Sequence, residues 1–191
     1  MSVLVLASRS PRRIDLLRRI GYEPLVDPAD IDENQHMGES AIDYVRRLSR
    51  EKAEVVATRH PGCVVIGADT CVELDGVVYG QPTDRADAQI TLRTLSGRTH
   101  NVHTAVTVLG QQSESTIVDT ARVTLQALND HLLNWYLDTG EPFGKAGAYA
   151  AQGHGGVLVT RIQGSMSTVV GLPLRQAAAL LAGCGLDPAP R

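Results

Sequence analysis

Residues 63–79 read Cys63-Val-Val-Ile-Gly-Ala-Asp69-Thr-Cys-Val-Glu-Leu-Asp75-Gly-Val-Val-Tyr79. Cys63 to Ala68 is a continuous apolar run, the pattern of a strand buried on both faces. Asp75-Gly76 stands between two short β-prone segments, Val72–Leu74 and Val77–Tyr79. Asp-Gly in that setting predicts a hairpin, because the favoured two-residue turn needs positive φ at both central positions. A doubly buried strand followed at once by a hairpin predicts a mixed sheet.

Outward from this stretch, strands and helices interleave. Val3 to Ala7 predicts a first buried strand and Tyr22 to Val26 a second. His100 to Leu109 and Ser115 to Leu125 are rich in β-branched residues and are expected to pair antiparallel. Val157 to Ile162 and Ser167 to Val170 read as the last strands. Pro11 to Ile20 predicts a helix, with Ser10 as N-cap, Pro11 at the first position and Gly21 past the end. Ala41 to Arg59 follows a Ser40 cap with Asp43 three residues on. Thr83 is expected to cap Asp84 to Leu95, Asn129 a helix to about Leu137, and Pro173 to open the last helix, ending near Gly183. The pattern is α/β: a mixed, twisted sheet flanked by helices, one domain over residues 1–191 with a frayed tail at 186–191.

Size and composition exclude several classes. The 191 residues suit one sizeable domain, and the 43% hydrophobic fraction is ordinary for a globular protein. No apolar run reaches the roughly 18–20 residues that span a bilayer. Positive charge follows the apolar start at Arg9, the reverse of a secretory leader, so the expected location is cytoplasmic. The net charge of −3 argues against a nucleic-acid partner. Cys63, Cys71 and Cys184 have neither a disulfide framework nor zinc spacing. No His-x-x-x-His pair occurs, and the glycine-rich nucleotide loops of the Walker A and Gly-x-Gly-x-x-Gly kinds are absent.

Five places carry candidate chemistry. Ser8-Arg9-Ser10-Pro11-Arg12-Arg13 lies between a strand and a helix start, where free N–H groups, hydroxyls and guanidiniums make either a phosphate cradle or a capped helix with solvated arginines. Lys52 falls on an apolar helical stripe with Val45, Leu48 and Val55; it either snorkels to the edge of the core or meets an anion. Asp69 follows the buried run, at the strand end where α/β sheets bind ligands. There it is either a turn aspartate or a carboxylate for a hard cation or a proton. Glu33, beside Asp30 and Asp32, either joins such a site or is solvated. The long glycine-rich loop Glu141 to Gly156, which carries Lys145 and Gln152, has the length of a functional loop.

Together these segments resemble the Maf family, the septum-formation-inhibitor-like proteins. The resemblance runs through Leu6-Ala-Ser-Arg-Ser-Pro-Arg-Arg13, Ile31-Asp-Glu33, Glu51-Lys-Ala53, Gly67-Ala-Asp-Thr70 and Leu95-Ser-Gly-Arg98. It continues through Gly140-Glu-Pro142, Lys145-Ala-Gly-Ala-Tyr149, Gln152-Gly153 and Val169-Val-Gly-Leu-Pro173, nearly the whole chain in one order. It implies a nucleoside triphosphate pyrophosphatase with an elongated, two-lobed fold, a cleft between the lobes, and a likeness to the house-cleaning inosine triphosphate pyrophosphatases. It further implies a divalent cation, Mg²⁺ or Mn²⁺, a small-molecule triphosphate as partner, no nucleic acid or membrane, and a homodimer.

By position, Asp69 resembles the family's proton acceptor, and Arg12, Thr70 and Gln152 its base-selecting positions. Ser8, Ser10, Arg13 and Lys52 are the implied phosphate contacts, and Glu33 with Asp69 the implied cation ligands. The branch acting on 7-methyl-GTP looks like one with tryptophan at the first selecting position and Asp-Gln in place of Asp-Thr; this chain looks like the branch acting on dTTP and UTP. One departure is Gly80-Gln81-Pro82, where the family usually carries a lysine; Gln81 can donate a hydrogen bond, but without charge. The resemblance leaves a 7-methyl-GTP or broader pyrophosphatase, a non-catalytic nucleotide sensor and a nucleotidyltransferase as rival readings, and nucleotide-pool sanitation and division arrest as cellular tasks.

Overall fold

The computed structural model describes residues 3–111 and 113–188. Leu4–Leu6 form β1 and Pro11–Arg19 form α1. The chain continues through β2 (Leu25–Val26), α2 (Ala41–Arg59), β3 (Val64–Leu74), β4 (Val77–Tyr79) and α3 (Arg85–Leu95). After these come β5 (Thr99–Leu109), β6 (Glu114–Leu125), α4 (Asp130–Asp138), β7 (Val159–Gln163), α5 (Met166–Val170) and α6 (Leu174–Gly183). One seven-stranded sheet has the order β2-β1-β3-β5-β6-β7, and β4 also pairs with β3. β1 is parallel to both β2 and β3, whereas β3–β4 and β6–β7 are antiparallel. The sheet is mixed, as the buried run and its hairpin require. Asp75 and Gly76 both have positive φ, 54° and 81°, the geometry of the favoured hairpin turn. Side-chain contacts at 2.8 Å link Thr99 to Thr124, His103 to Thr120 and Thr107 to Thr116. Four residues forward on β5 meet four residues back on β6, so this pair is antiparallel too.

The chain divides into two compact units. The first comprises the described residues up to Asp69, Thr104–Asp119, and the described residues from Gly171 onward; the second is Thr70–His103 with Thr120–Val170. In the first, Val5, Ala7 and Val65 pack with Ala53 and Val56 of α2. In the second, Leu92, Leu95, Val123, Leu125, Leu133 and Tyr136 belong to one core.

Several local expectations give way to tertiary context. Asp69 does not end its strand. The apolar run stops at Ala68, but Cys71, Val72 and Leu74 are buried, and β3 runs on unbroken into the hairpin. Ser167 to Val170 is not a strand but part of α5. The Thr168 and Val169 amides donate to the Ser165 carbonyl at 3.1 and 3.3 Å, and burial of Thr168 overrides the β preference of Thr-Val-Val. The cap of α3 is Asp84, which accepts the Asp87 amide at 2.8 Å. Thr83 stands one residue outside, donating its amide to the Asp87 carboxylate at 2.9 Å. On α2 the buried stripe is Val45, Leu48, Ser49, Lys52, Ala53 and Val56, and Val55 is exposed. Leu186 is held, its amide on the Leu181 carbonyl and its carbonyl on the Tyr22 hydroxyl, both at 3.0 Å. The rest of the expected tail at 189–191 lies outside the described residues.

One glycine sets the spacing between α2 and β3. A Cβ on Gly67 would lie 2.2 Å from the Ser49 carbonyl oxygen and 2.9 Å from the Ala53 amide nitrogen. Backbone cannot yield as a flexible side chain can, so Gly67→Ala pushes helix from strand. The expected result is a loss of about 1–3 kcal/mol or more, seen as a lower chemical-denaturation midpoint. An unchanged midpoint would contradict this packing.

Candidate active site

Ser40 caps α2 by accepting the Asp43 amide at 3.1 Å, which starts the helix one turn before Val45. The apolar stripe then carries Lys52 inward against β3, where the missing Gly67 side chain allows close approach. Lys52 and Asp69 are both buried, each 6% exposed. The Lys52 ammonium donates to Asp69 Oδ1 at 2.6 Å and lies 2.8 Å from Glu33 Oε1. The lysine therefore does not snorkel. It joins two carboxylates from two separate segments, one buried and one about half exposed.

The second cation is Arg13, in the first turn of α1. Its Nε donates to the Gly171 carbonyl at 2.9 Å and one terminal nitrogen to Ser8 Oγ at 3.2 Å. Ser8 is buried and also accepts the Ser10 amide at 3.2 Å. Ser10 occupies the N-cap, but its side chain makes no capping hydrogen bond. Arg12 is half-buried beside it, and burial lowers its pKa. Burial likewise lowers the pKa of Arg13, with the Asp69 charge opposing that shift and the Arg12 charge adding to it.

Asp69 carries the competing forces of the site. Burial raises its pKa, and Lys52, then Arg13, pull it back down, while Glu33 pushes it up. Burial prevails, so the carboxylate is a stronger base than an ordinary aspartate. A buried, basic carboxylate held by a lysine and facing a guanidinium can take a proton while neighbouring cations meet developing negative charge.

The first unit thus brings together Ser8, Arg13, Glu33, Lys52 and Asp69, with Ser10 and Arg12 on the same helix start. The remaining candidates belong to the second unit. Thr70 follows Asp69 on β3 and so points to the opposite face, half-buried. Gln81 is exposed just after β4. Lys145 donates to the Phe143 carbonyl at 3.0 Å, within its own loop. Gln152 is exposed in a tight turn. That turn has a support the residue pattern did not single out. Glu141 accepts the His154 amide at 3.0 Å and the Gly155 amide at 2.7 Å. A Cβ on Gly153 would meet the Glu141 carboxylate oxygen at 1.9 Å. The glycines at 153 and 155, in a loop that opens on the acidic Glu141, were the readable signal.

The donor set suits a hard divalent cation of a particular kind. Glu33 and Asp69 offer carboxylate oxygens close together, both within reach of the Lys52 ammonium. Among the described residues, no group of three or more His, Cys, Asp or Glu is placed to hold a metal by itself, here or elsewhere. Mg²⁺ is commonly held by one or two carboxylates plus substrate phosphates rather than by a protein cage. The residues fit a cation that arrives with a triphosphate.

Comparison with known proteins agrees over almost the full length. The Maf-like protein family matches residues 3–184. A dTTP/UTP pyrophosphatase from Myxococcus xanthus is 52% identical over 97% of this chain and 94% of its own length. One from Methylobacillus flagellatus is 45% identical over the same shares, and one from Symbiobacterium thermophilum 42% identical over 97% and 95%.

Proposed function

This chain belongs to the Maf-like protein family, and we propose from that premise that it hydrolyses dTTP and UTP to the monophosphate and pyrophosphate. The observation that carries the reading is the buried Asp69–Lys52 pair with Glu33 on the same ammonium, at 2.6 and 2.8 Å.

The substrate's phosphates meet the start of α1, where Ser8, Ser10 and Arg13 supply donors and charge. Asp69 accepts a proton from a water as its oxygen forms a bond to the α-phosphorus. The bond from that phosphorus to the bridging oxygen breaks, and pyrophosphate leaves with the electron pair. Lys52 holds Asp69 oriented and, with Arg13, meets the charge growing on the leaving group. A Mg²⁺ or Mn²⁺ on Glu33 and Asp69 supplies Lewis-acid neutralisation of the phosphates when bound. Base selection is assigned to Arg12, Thr70 and Gln152 by their match to the family's selecting positions. A site built to hydrogen-bond one edge rejects bases that leave its groups unpaired. Gln81 gives an uncharged contact where the family lysine would give a charged one.

The partner is a free nucleotide rather than nucleic acid, and the cellular setting is pool sanitation in the cytoplasm by a homodimer. No described helix is long and apolar enough to cross a membrane. The test is a pyrophosphate-release assay on dTTP, UTP, CTP, GTP and 7-methyl-GTP with Mg²⁺ or Mn²⁺. Release from dTTP and UTP, abolished by chelator, is the expected result. Equal cleavage of GTP would remove the base-reading roles, and activity in chelator would remove the cation.

A further inference from the structure

Of the three charged side chains that meet at Lys52, Glu33 is the one that no helix or strand holds. It lies in the irregular segment between β2 and α2, with a side chain about half exposed, and yet its carboxylate reaches Lys52 at 2.8 Å. Something must fix that segment, because a loop carboxylate free to move would lose its place on the ammonium. The surface of α2 supplies the restraint. Arg47 forms a two-pronged pair with Glu39, Nε to Oε1 at 2.7 Å and a terminal nitrogen to Oε2 at 2.8 Å. The same terminal nitrogen donates to the Asn34 carbonyl, next to Glu33, at 3.1 Å. Glu39 in turn accepts the His36 amide at 3.0 Å, so its carboxylate closes the far end of the segment. Tyr44, one turn earlier on α2, donates its hydroxyl to the Glu33 carbonyl itself at 2.9 Å, and its ring lies 5.8 Å from the Arg47 guanidinium carbon. The pair is well shielded, with Arg47 and Glu39 side chains only 18% and 10% exposed.

We propose that Arg47, with Tyr44, is a positioning residue for the reaction: its guanidinium holds residues 33–39 in the shape that keeps the Glu33 carboxylate on Lys52. The inference rests on the reading of Glu33 given above. Tyr44, Arg47 and Lys52 all belong to α2, so a single helix carries both the ammonium and the clamp that brings Glu33 to it. Lysine cannot replace Arg47, since an ammonium has no planar fork to grip a carboxylate and a carbonyl together.

Arg47→Lys is expected to lower kcat/KM about 10- to 100-fold, the usual size for residues that orient a ligand set. Tyr44→Phe, which deletes a single hydrogen bond, is expected to lower it in the same direction by less. Amide hydrogen exchange over residues 33–39 should speed up in both variants while the thermal midpoint of Tyr44→Phe stays at the wild-type value. In a Glu33→Gln background neither substitution should cost further activity, which a merely stabilising role would not produce. Losses that add to that of Glu33→Gln would overturn the proposal, as would wild-type kcat/KM in both variants while Glu33→Gln is impaired. Wild-type kcat/KM in Glu33→Gln itself would remove the reading of Glu33 and the proposal with it.

Discussion

An Asp69→Asn enzyme is expected to turn over dTTP about 10²- to 10⁴-fold more slowly than wild type, the range for removing a general base. Asparagine has the shape of aspartate, and its carbonyl oxygen can still accept the Lys52 proton that Asp69 Oδ1 accepts at 2.6 Å. What it lacks is a lone pair basic enough to take a proton from water. The fold should not suffer. Burial raises the Asp69 pKa in the folded chain, so folding opposes the ionised form of this side chain. The neutral amide removes that conflict but leaves the half-exposed Glu33, 2.8 Å away, to balance the buried Lys52 ammonium, so the two effects oppose each other and the thermal midpoint at pH 7 is expected to stay near that of wild type. Turnover by pyrophosphate release and a melting curve on the same preparation check both halves. Near-normal turnover would remove Asp69 as base, and a collapsed midpoint would make the loss of activity uninformative about chemistry.

Lys52→Met separates a different pair of effects. Methionine fills the aliphatic path of the lysine but leaves Asp69 buried without the nearest of its cations. Breaking a buried pair from one side costs about 3–5 kcal/mol. Activity should fall about 10²- to 10³-fold, the usual loss for one charge-stabilising donor. The pH dependence distinguishes the electrostatic account from lost packing. Lys52 is the largest charge pulling the Asp69 pKa down, so without it that pKa rises further above the ordinary carboxylate value. A raised folded-state pKa means stability that is fully present below the unfolded value, about 3.9 for aspartate, and lost as pH rises through the folded value. The destabilisation of Lys52→Met should therefore be large at neutral pH and shrink in acid. The acidic limb of kcat/KM, where Asp69 must ionise to act, should move to higher pH. Midpoints measured from pH 4 to 8 against wild type decide it, and a pH-independent deficit would point to packing alone.

The features readable in the residues were those with a local physical cause. The strand at Val64, the hairpin at Asp75-Gly76 and the caps at Ser40 and Asn129 each depend on a few adjacent side chains, and each forms where those side chains predict. Lys52 on an apolar stripe and Asp69 after a buried run were visible as anomalies. Their meeting was not, because 17 residues separate them and a bend in the chain must bring them together. Where local preference and packing conflict, packing wins. Thr168-Val169-Val170 prefers a strand and forms a helix turn on Ser165, and Val55 looks outward because the stripe is completed by Val56. The clamp of Arg47 on Glu39 and Asn34 joins α2 to an irregular segment and leaves no periodic trace, so only the structure reveals it.

Hydrolysis of dTTP in water enriched in ¹⁸O tests the central claim most directly, because it reports which phosphorus the water attacks. With Asp69 preparing a water for the α-phosphorus, the account predicts one ¹⁸O in dTMP and none in pyrophosphate. Label in the pyrophosphate would mean attack at the β-phosphorus and would contradict it.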